Sequence, residues 1–155
     1  MAYDDADIQA QARGGKRLIY ALVCVGLVVG IASHRAEQNR RHARNLTCER
    51  MRQIERALDR YAIDNGGQIP TTTQGLRALR TAPEQPPVPR NWCGPYINAS
   101  EVIFDGWGRK LHFVSPGGGA PARPYDLWSL GRDDAEGGTD ANADINSWQP
   151  ETMAR

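Results

Sequence analysis

Apolar residues along this chain fall into two regimes joined without a break. Residues 18–33 read Leu-Ile-Tyr-Ala-Leu-Val-Cys-Val-Gly-Leu-Val-Val-Gly-Ile-Ala-Ser, without a charge. As a helix this run covers roughly 24 Å, against a bilayer hydrocarbon core of about 30 Å. Lys16 and Arg17 on one side, and His34 and Arg35 on the other, can snorkel to make up the difference. No proline follows. Residues 36–63 are polar but periodic, with Thr47, Met51, Ile54, Leu58 and Tyr61 on one helical stripe. Asp64-Asn65-Gly66-Gly67 ends the pattern, with glycine where a left-handed residue is tolerated. The spacing predicts one long helix over residues 16–63. Residues 16–36 form its transmembrane part, and its later half carries a globular domain on one face.

Residues 1–15 lack a hydrophobic period and end in Gly14-Gly15, the pattern of a flexible tail or leader. Beyond the helix, residues 66–100 are rich in proline, glycine and threonine. Within them, residues 72–80 read as a short helix with threonine as N-cap. Pro83, Pro86, Pro87 and Pro89 exclude regular structure through Arg90. Residues 91–97 form a turn that carries Trp92 and Tyr96 towards the helix. Residues 109–115 alternate, with Leu111 and Phe113 on one face and Lys110 and His112 on the other. Residues 125–130 are a second strand, and the two make an antiparallel hairpin, with 102–104 as a further strand. The class is α+β: a long helix packed on a small antiparallel sheet.

The chain has 155 residues and a formal net charge of +1, so no global field points to nucleic acid. Charge is segregated, however. Arg35, Arg40, Arg41, Arg44, Arg50, Arg52, Arg56 and Arg60 make the helix basic, interrupted by Glu37, Glu49, Glu55 and Asp59. This is the pattern of a solvated face or one that pairs with a neighbouring subunit. Asp133, Asp134, Glu136, Asp140 and Asp144 make the later chain acidic. A cleaved secretory signal is the alternative to a retained anchor, but Ala32-Ser33-His34-Arg35 lacks a small-x-small cleavage site. Arg13, Lys16 and Arg17 mark the short N-terminal end as cytoplasmic. Cys24 lies in the apolar run. Cys48 and Cys93 share the outer compartment, where they are either a disulfide or two unrelated cysteines. His34, His42 and His112 have no ligand spacing, and no nucleophile-base or paired-carboxylate arrangement is present. The chain does not read as an enzyme.

Six blocks carry a family resemblance. They are Leu58-Asp59-x-Tyr61-x-x-Asp64-Asn65-Gly66, Pro70-Thr71-Thr72-x-Gln74-Gly75-Leu76-x-Ala78-Leu79, Asn91-Trp92-x-Gly94-Pro95-Tyr96-Ile97, Asp105-x-Trp107-Gly108, Tyr125-Asp126-Leu127-x-Ser129-Leu130-Gly131 and Asn142-Ala143-Asp144-Ile145-x-x-Trp148. In this order they resemble the major (G-class) pseudopilin of bacterial type II secretion systems. The resemblance implies a pilin-like fold with residues 37–155 as a periplasmic domain, on a single-pass anchor in the inner membrane. It implies a structural subunit that polymerises helically with itself, has other pseudopilins and an inner-membrane secretion platform as partners, and helps export folded proteins across the outer membrane. It places the prepilin-processing site at Gly15 and Lys16. There the chain departs from the family, with Lys16 where the family has phenylalanine and Tyr20 where it has glutamate. That departure motivates the alternative, a membrane-anchored pilin-like binding module that does not polymerise.

Residues 130–144 hold five carboxylates among glycines. Calcium takes about six to eight hard oxygens on a backbone able to wrap. The spacing is not that of an EF-hand, because Ala135 and Gly137 stand at ligand positions. From the residues alone the loop is a solvated acidic turn or a cation site. The resemblance implies one structural Ca²⁺, held by Asp133 and Asp140, the Asn142 side-chain oxygen, and the backbone oxygens of Leu130 and Ala135. Asp144 is left to a ligand role or to capping the next turn.

Overall fold

The stripe of Thr47, Met51, Ile54, Leu58 and Tyr61 is buried along its whole length. The computed structural model describes the backbone of residues 5–98, 100–119 and 121–153, and their side chains from Leu22 onward apart from Glu101. The chain divides into two units, Met1–Asn39 and Arg40–Arg155. Helix α1 runs Asp5–Asp64. It therefore begins within the segment expected to be a flexible tail. Asp5 and Asp7 suit the positive end of a helix, and the Ile-Gln-Ala-Gln-Ala run that follows has good helix formers. Gly14 and Gly15 cost about 1 kcal/mol each, too little to break it.

In the first unit Leu22, Val25, Leu27, Val28 and Val29 are exposed. Among the described residues no helix is long and apolar enough to cross a membrane. The apolar run starts at Leu18, and its first four side chains lie outside the described ones.

In the second unit α1 ends as the sequence signals. Gly66 takes φ 66° and the Gly67 N–H donates to the Ala62 carbonyl at 2.8 Å, so glycine closes the last turn. Three short strands follow, β1 His112–Val114, β2 Asp126–Ser129 and β3 Ile145–Asn146. They form one antiparallel sheet in the order β1-β2-β3, with Phe113 opposite Leu127 and Ser129 opposite Ile145. Leu127 and Ile145 are fully buried and join Met51, Ile54 and Leu58 in the core. A last short helix, α2, spans Pro150–Met153 and buries Met153.

Two local expectations are corrected. Residues 102–104 do not add a strand: Ser100–Ile103 is a 3-10 turn, and only Phe104 bridges to Lys110. The third strand comes instead from Ile145–Asn146, too short for an alternating pattern to show. Residues 72–80 hold a 3-10 turn at Leu76–Leu79 entered through Gly75 at φ 59°, and the capping threonine lies just before it: Thr71 Oγ1 accepts the Gln74 N–H at 3.3 Å while Gln74 Oε1 accepts the Thr71 N–H at 3.1 Å. The Thr72 hydroxyl is used elsewhere, donating to the Ser115 carbonyl at 3.0 Å and accepting its N–H at 2.9 Å. The aromatic turn is as expected. Tyr96 packs on Tyr61 of α1 with ring centres 5.4 Å apart, and Trp92 meets Tyr96 edge-on at 5.7 Å.

Candidate functional site

The acidic loop is positioned from a turn some thirty residues earlier. Asp105 is buried, and its Oδ1 accepts the N–H groups of Trp107 and Arg109, both at 2.9 Å. Gly106 lies against α1, where an added Cβ would stand 1.9 Å from the Ala43 carbonyl oxygen. Its N–H donates to Thr47 Oγ1 at 2.8 Å. Arg50 grips the same turn from α1, donating to the carbonyls of Phe104 at 3.1 Å and Asp105 at 3.0 Å. The Asp105-x-Trp107-Gly108 block is therefore a turn folded onto the helix. It points the Arg109 side chain at the acidic loop.

Arg109 donates Nη1 to the Arg132 carbonyl at 2.9 Å and Nη2 to the Gly131 carbonyl. Its Nε lies 3.5 Å from Asp134 Oδ1, and Nη2 lies 3.5 Å from Asp105 Oδ2. The loop then closes on itself. The Arg132 N–H donates to the Ala141 carbonyl at 3.0 Å, and the Gly137 N–H to Asp144 Oδ2 at 3.0 Å. Gly131 and Gly138 both crowd residue 142: a Cβ on either would fall 2.6 Å and 2.7 Å from the Asn142 carbonyl oxygen. Only glycine permits that approach, and both sit at positive φ. Asp134 and Asp140 also have positive φ, at 59° and 55°, a conformation that aspartate tolerates better than most residues. From below, Arg44 reaches out of α1 to the carbonyls of Ala143 and Thr152, tying the end of the loop to α2.

Of the expected calcium donors, Asp133, Ala135 and Asp140 are exposed on the loop, while Leu130 and Asn142 are half-buried at its base. Asn142 Oδ1 accepts from Arg132 Nε at 3.2 Å. Among the described residues no three His, Cys, Asp or Glu side chains form a group able to hold a metal ion by themselves. Any cation here therefore relies on backbone and amide oxygens as well as carboxylates, the mixed hard-oxygen set that suits Ca²⁺. Two atoms at this site are buried without a hydrogen-bond partner, the acceptor Asp144 Oδ1 and the donor Arg109 Nε, the latter 3.5 Å from Asp134 Oδ1. A buried acceptor without a partner costs about 1–3 kcal/mol. Asp144, left between a ligand role and a cap by its sequence, gives its Oδ2 to the Gly137 N–H and leaves Oδ1 unpartnered.

The other sequence-level candidates are not brought together. Cys48 and Cys93 are both free, the first buried and the second exposed, so of the two readings the structure has unrelated cysteines rather than a disulfide. Cys48 turns into the core beneath α1, and burial pushes its thiol pKa up. The Cys93 turn is held by other means: its N–H donates to Tyr96 Oη at 2.9 Å, and Tyr96 Oη donates to Asp64 at 2.8 Å. Trp92 Nε1 fastens the same turn to the Ala78 carbonyl at 2.9 Å. The processing candidates Gly15 and Lys16 lie in the part of α1 before Leu22, outside the residues whose surroundings are described. His112 stacks on Trp128 with ring centres 4.9 Å apart.

The basic helix has a role that charge pattern alone does not reveal. Besides Arg44 and Arg50, Arg52 donates to the Met153 carbonyl at 3.3 Å and Arg60 to the Tyr96 carbonyl. These arginines are carbonyl clamps that hold four separate segments to α1. Their spacing resembles that of a solvated face because each long side chain reaches sideways past the buried stripe.

Comparison with known proteins gives a consistent answer. A family model described as "Type II secretion system (T2SS), protein G" matches residues 35–148. The type II secretion system core protein G of Pseudomonas aeruginosa is 43% identical over 96 residues, which covers 61% of this chain and 63% of that protein. The protein of the same description from Vibrio cholerae is 43% identical over 96 residues, 61% of each. The chain thus spans less than two thirds of the length of these relatives. The crystal structure of the major pseudopilin from the type 2 secretion system of enterohaemorrhagic Escherichia coli superposes with a TM-score of 0.56 at 32% identity, covering 70% of this chain and 88% of that one. With most of its 155 residues matched by the family model and its helix-on-sheet fold shared with a major pseudopilin, the chain belongs to the type II secretion system protein G family.

Proposed function

We propose that this chain is a structural subunit of a type II secretion pseudopilus, anchored in the inner membrane by α1 with its sheet-bearing unit in the periplasm. The family match over residues 35–148 carries this reading. The apolar side chains of the first unit support it, because Leu22, Val25, Leu27, Val28 and Val29 are between 60% and 66% exposed. Such a surface needs lipid or the helices of other subunits to cover it. A head-to-tail contact between subunits generates an open filament where its rotation does not close into a ring. The other pseudopilins and the inner-membrane platform are its remaining partners in this reading.

The same reading gives the acidic loop one structural Ca²⁺, held by Asp133, Asp140, Asn142 and the backbone oxygens of Leu130 and Ala135. The ion would supply positive charge to a loop with five carboxylates, and the unpartnered Asp144 Oδ1 supports it. Arg132 donates to Asn142 Oδ1, so its positive charge competes with a cation for that oxygen, and an exposed side chain can turn away at small cost.

The second reading, an anchored pilin-like binding module that does not polymerise, is favoured by one observation: Lys16 and Tyr20 stand where the resemblance expects phenylalanine and glutamate. Engineered cysteines along residues 22–46 separate the two. Under oxidation in native membranes a filament subunit gives a ladder of crosslinked multimers. A monomer that persists at every position, with secretion intact, removes the filament reading.

A further inference from the structure

We infer that Arg109 is a positioning residue of the acidic loop, a resident cation that holds its first turn with or without a divalent ion. This rests on the reading of the loop as the cation-binding element. The geometry points one way. Carbonyl oxygens and carboxylates converging from one loop are the donor set of a cation site, and here a guanidinium already fills part of it. Arg109 takes the Gly131 and Arg132 carbonyls with its two terminal nitrogens and faces Asp134 with Nε. A planar guanidinium suits such a fork, and a lysine ammonium does not.

Arg109 is itself preset. Its backbone N–H is fixed by Asp105 Oδ1, and Nη2 lies 3.5 Å from Asp105 Oδ2. Asp105 Oδ2 in turn accepts from Ser129 Oγ at 2.9 Å, next to the residues that open the loop. The guanidinium is thus placed by the sheet and by the turn on α1, not by the loop. Arg132 has the opposite character. It belongs to the loop, is exposed, and sits on Asn142 Oδ1, an oxygen expected to ligate the metal. Arg109 therefore supports the loop from outside the metal's donor set, and Arg132 competes for a donor within it.

Two consequences follow. The 131–132 turn stays ordered in chelator because of Arg109. Calcium affinity rises when Arg132 is neutralised, since a positive charge and a competing donor are removed together.

The test uses the full-length protein in detergent micelles, with hydrogen exchange across residues 130–145 read in chelator and in millimolar Ca²⁺. The wild type is expected to keep protection of residues 131–132 in chelator. Arg109→Gln is expected to lose it by about tenfold or more in exchange rate. Arg109→Lys is expected to restore only part of it. Equal protection in wild type and Arg109→Gln, both in chelator, overturns the inference. Since Arg109→Gln also disturbs the buried Asp105, Asp134→Asn serves as the second variant. It leaves Asp105 alone and should speed exchange of the same turn to a smaller degree; no change there also counts against the inference. Calorimetric Ca²⁺ titration of Arg132→Gln should show tighter binding than wild type, and unchanged or weaker binding overturns the competing role. If Ca²⁺ binds none of the variants while Arg109→Gln still loosens the turn, the calcium reading fails and the arginine's role stands.

Discussion

Ser129 Oγ donates a hydrogen bond of 2.9 Å to Asp105 Oδ2, and both residues are buried. The pair joins the strand before the acidic loop to the turn that lies on α1. Asp105 accepts three donors in all, counting the N–H groups of Trp107 and Arg109. Asp105→Ala would strand those donors in a closed site. It should destabilise the protein by about 2–4 kcal/mol, read as a lower urea midpoint. Asp105→Asn keeps an acceptor for the two N–H groups and places an amide opposite Ser129, whose hydroxyl can accept. It should cost clearly less. An alanine variant as stable as wild type would show that this carboxylate does not hold the turn.

Gly106→Ala tests the close approach of the same turn to the helix. The new Cβ would stand 1.9 Å from the Ala43 carbonyl oxygen, and the obstacle is backbone. The turn must lift and release the Gly106 N–H from Thr47 Oγ1. A loss of about 2–4 kcal/mol in thermal unfolding is expected, from overpacking plus a broken buried hydrogen bond. Gly108→Ala is the control. An added Cβ there meets nothing within 4 Å, but φ is 85°. It should cost about 1 kcal/mol from backbone conformation alone.

Much of this was legible in the sequence, for reasons tied to particular residues. Met51, Ile54, Leu58 and Tyr61 recur at helical spacing because one face of α1 is the core, and that face is buried as expected. Asn65-Gly66-Gly67 announces the helix end because the left-handed turn there requires glycine. What stayed hidden lacks periodicity. Strand β3 has two residues, Ile145–Asn146, and its place beside β2 is set by pairing rather than by pattern. Thr72 does not cap because a long-range partner, Ser115, takes its hydroxyl, and Thr71 with Gln74 caps the turn instead. Arginine clamps escape a sequence reading because an arginine that reaches a distant carbonyl has the same local pattern as one in water. For the acidic loop, composition points to the stretch, but only the fold shows that Asp144 keeps a buried, unpartnered oxygen and that Arg109 comes in from outside.

The cysteines offer a direct check. Cys93 is exposed and Cys48 is buried with its thiol pKa raised by burial. Raising that pKa lowers the thiolate fraction at neutral pH, and the thiolate is the reactive form. In native, non-reduced protein a maleimide should modify Cys93 within minutes and Cys48 only after denaturant is added. Protection of both cysteines until a reductant is supplied would show that they are bonded after all.

Tyr125 gives a pH dependence with a definite sign. Burial, then the nearby Glu55 and Asp59, push its pKa up from 10.0 to about 12. The folded state therefore holds the phenol proton where the unfolded chain has begun to release it. That contribution is fully present below about pH 10 and is lost as pH rises towards 12. Urea midpoints should fall across this window, and Tyr125→Phe should flatten the fall. Ultraviolet titration of the folded protein should show a late-ionising tyrosine missing from the variant. An unaltered slope in Tyr125→Phe would assign the effect to other groups.

Calcium at the acidic loop is tested by melting. Without a cation, Asp133, Asp134, Glu136, Asp140 and Asp144 repel one another, and Arg109 and Arg132 offset only part of that charge. A ligand that binds the folded state alone stabilises it by RT ln(1 + [L]/Kd), about 2.7 kcal/mol at a hundredfold excess over Kd. The full-length protein in micelles should thus melt higher in millimolar Ca²⁺ than in chelator. Mg²⁺ should substitute poorly, because it demands a tighter octahedral shell and gives up its water reluctantly. The readout is the Ca²⁺-induced shift for each variant, not the absolute Tm, since Asp140 sits at φ 55° and alanine there is strained in either buffer. Asp133→Ala and Asp140→Ala should each remove most of the shift. Glu136→Ala should leave it nearly whole. Asp144→Asn keeps an amide oxygen to replace Oδ2 in its bond to the Gly137 N–H but removes the charge beside the buried Oδ1. It should shrink the shift without abolishing folding in chelator. A wild-type Tm that is the same in chelator and in Ca²⁺ would return the loop to a solvated acidic turn held by its arginines.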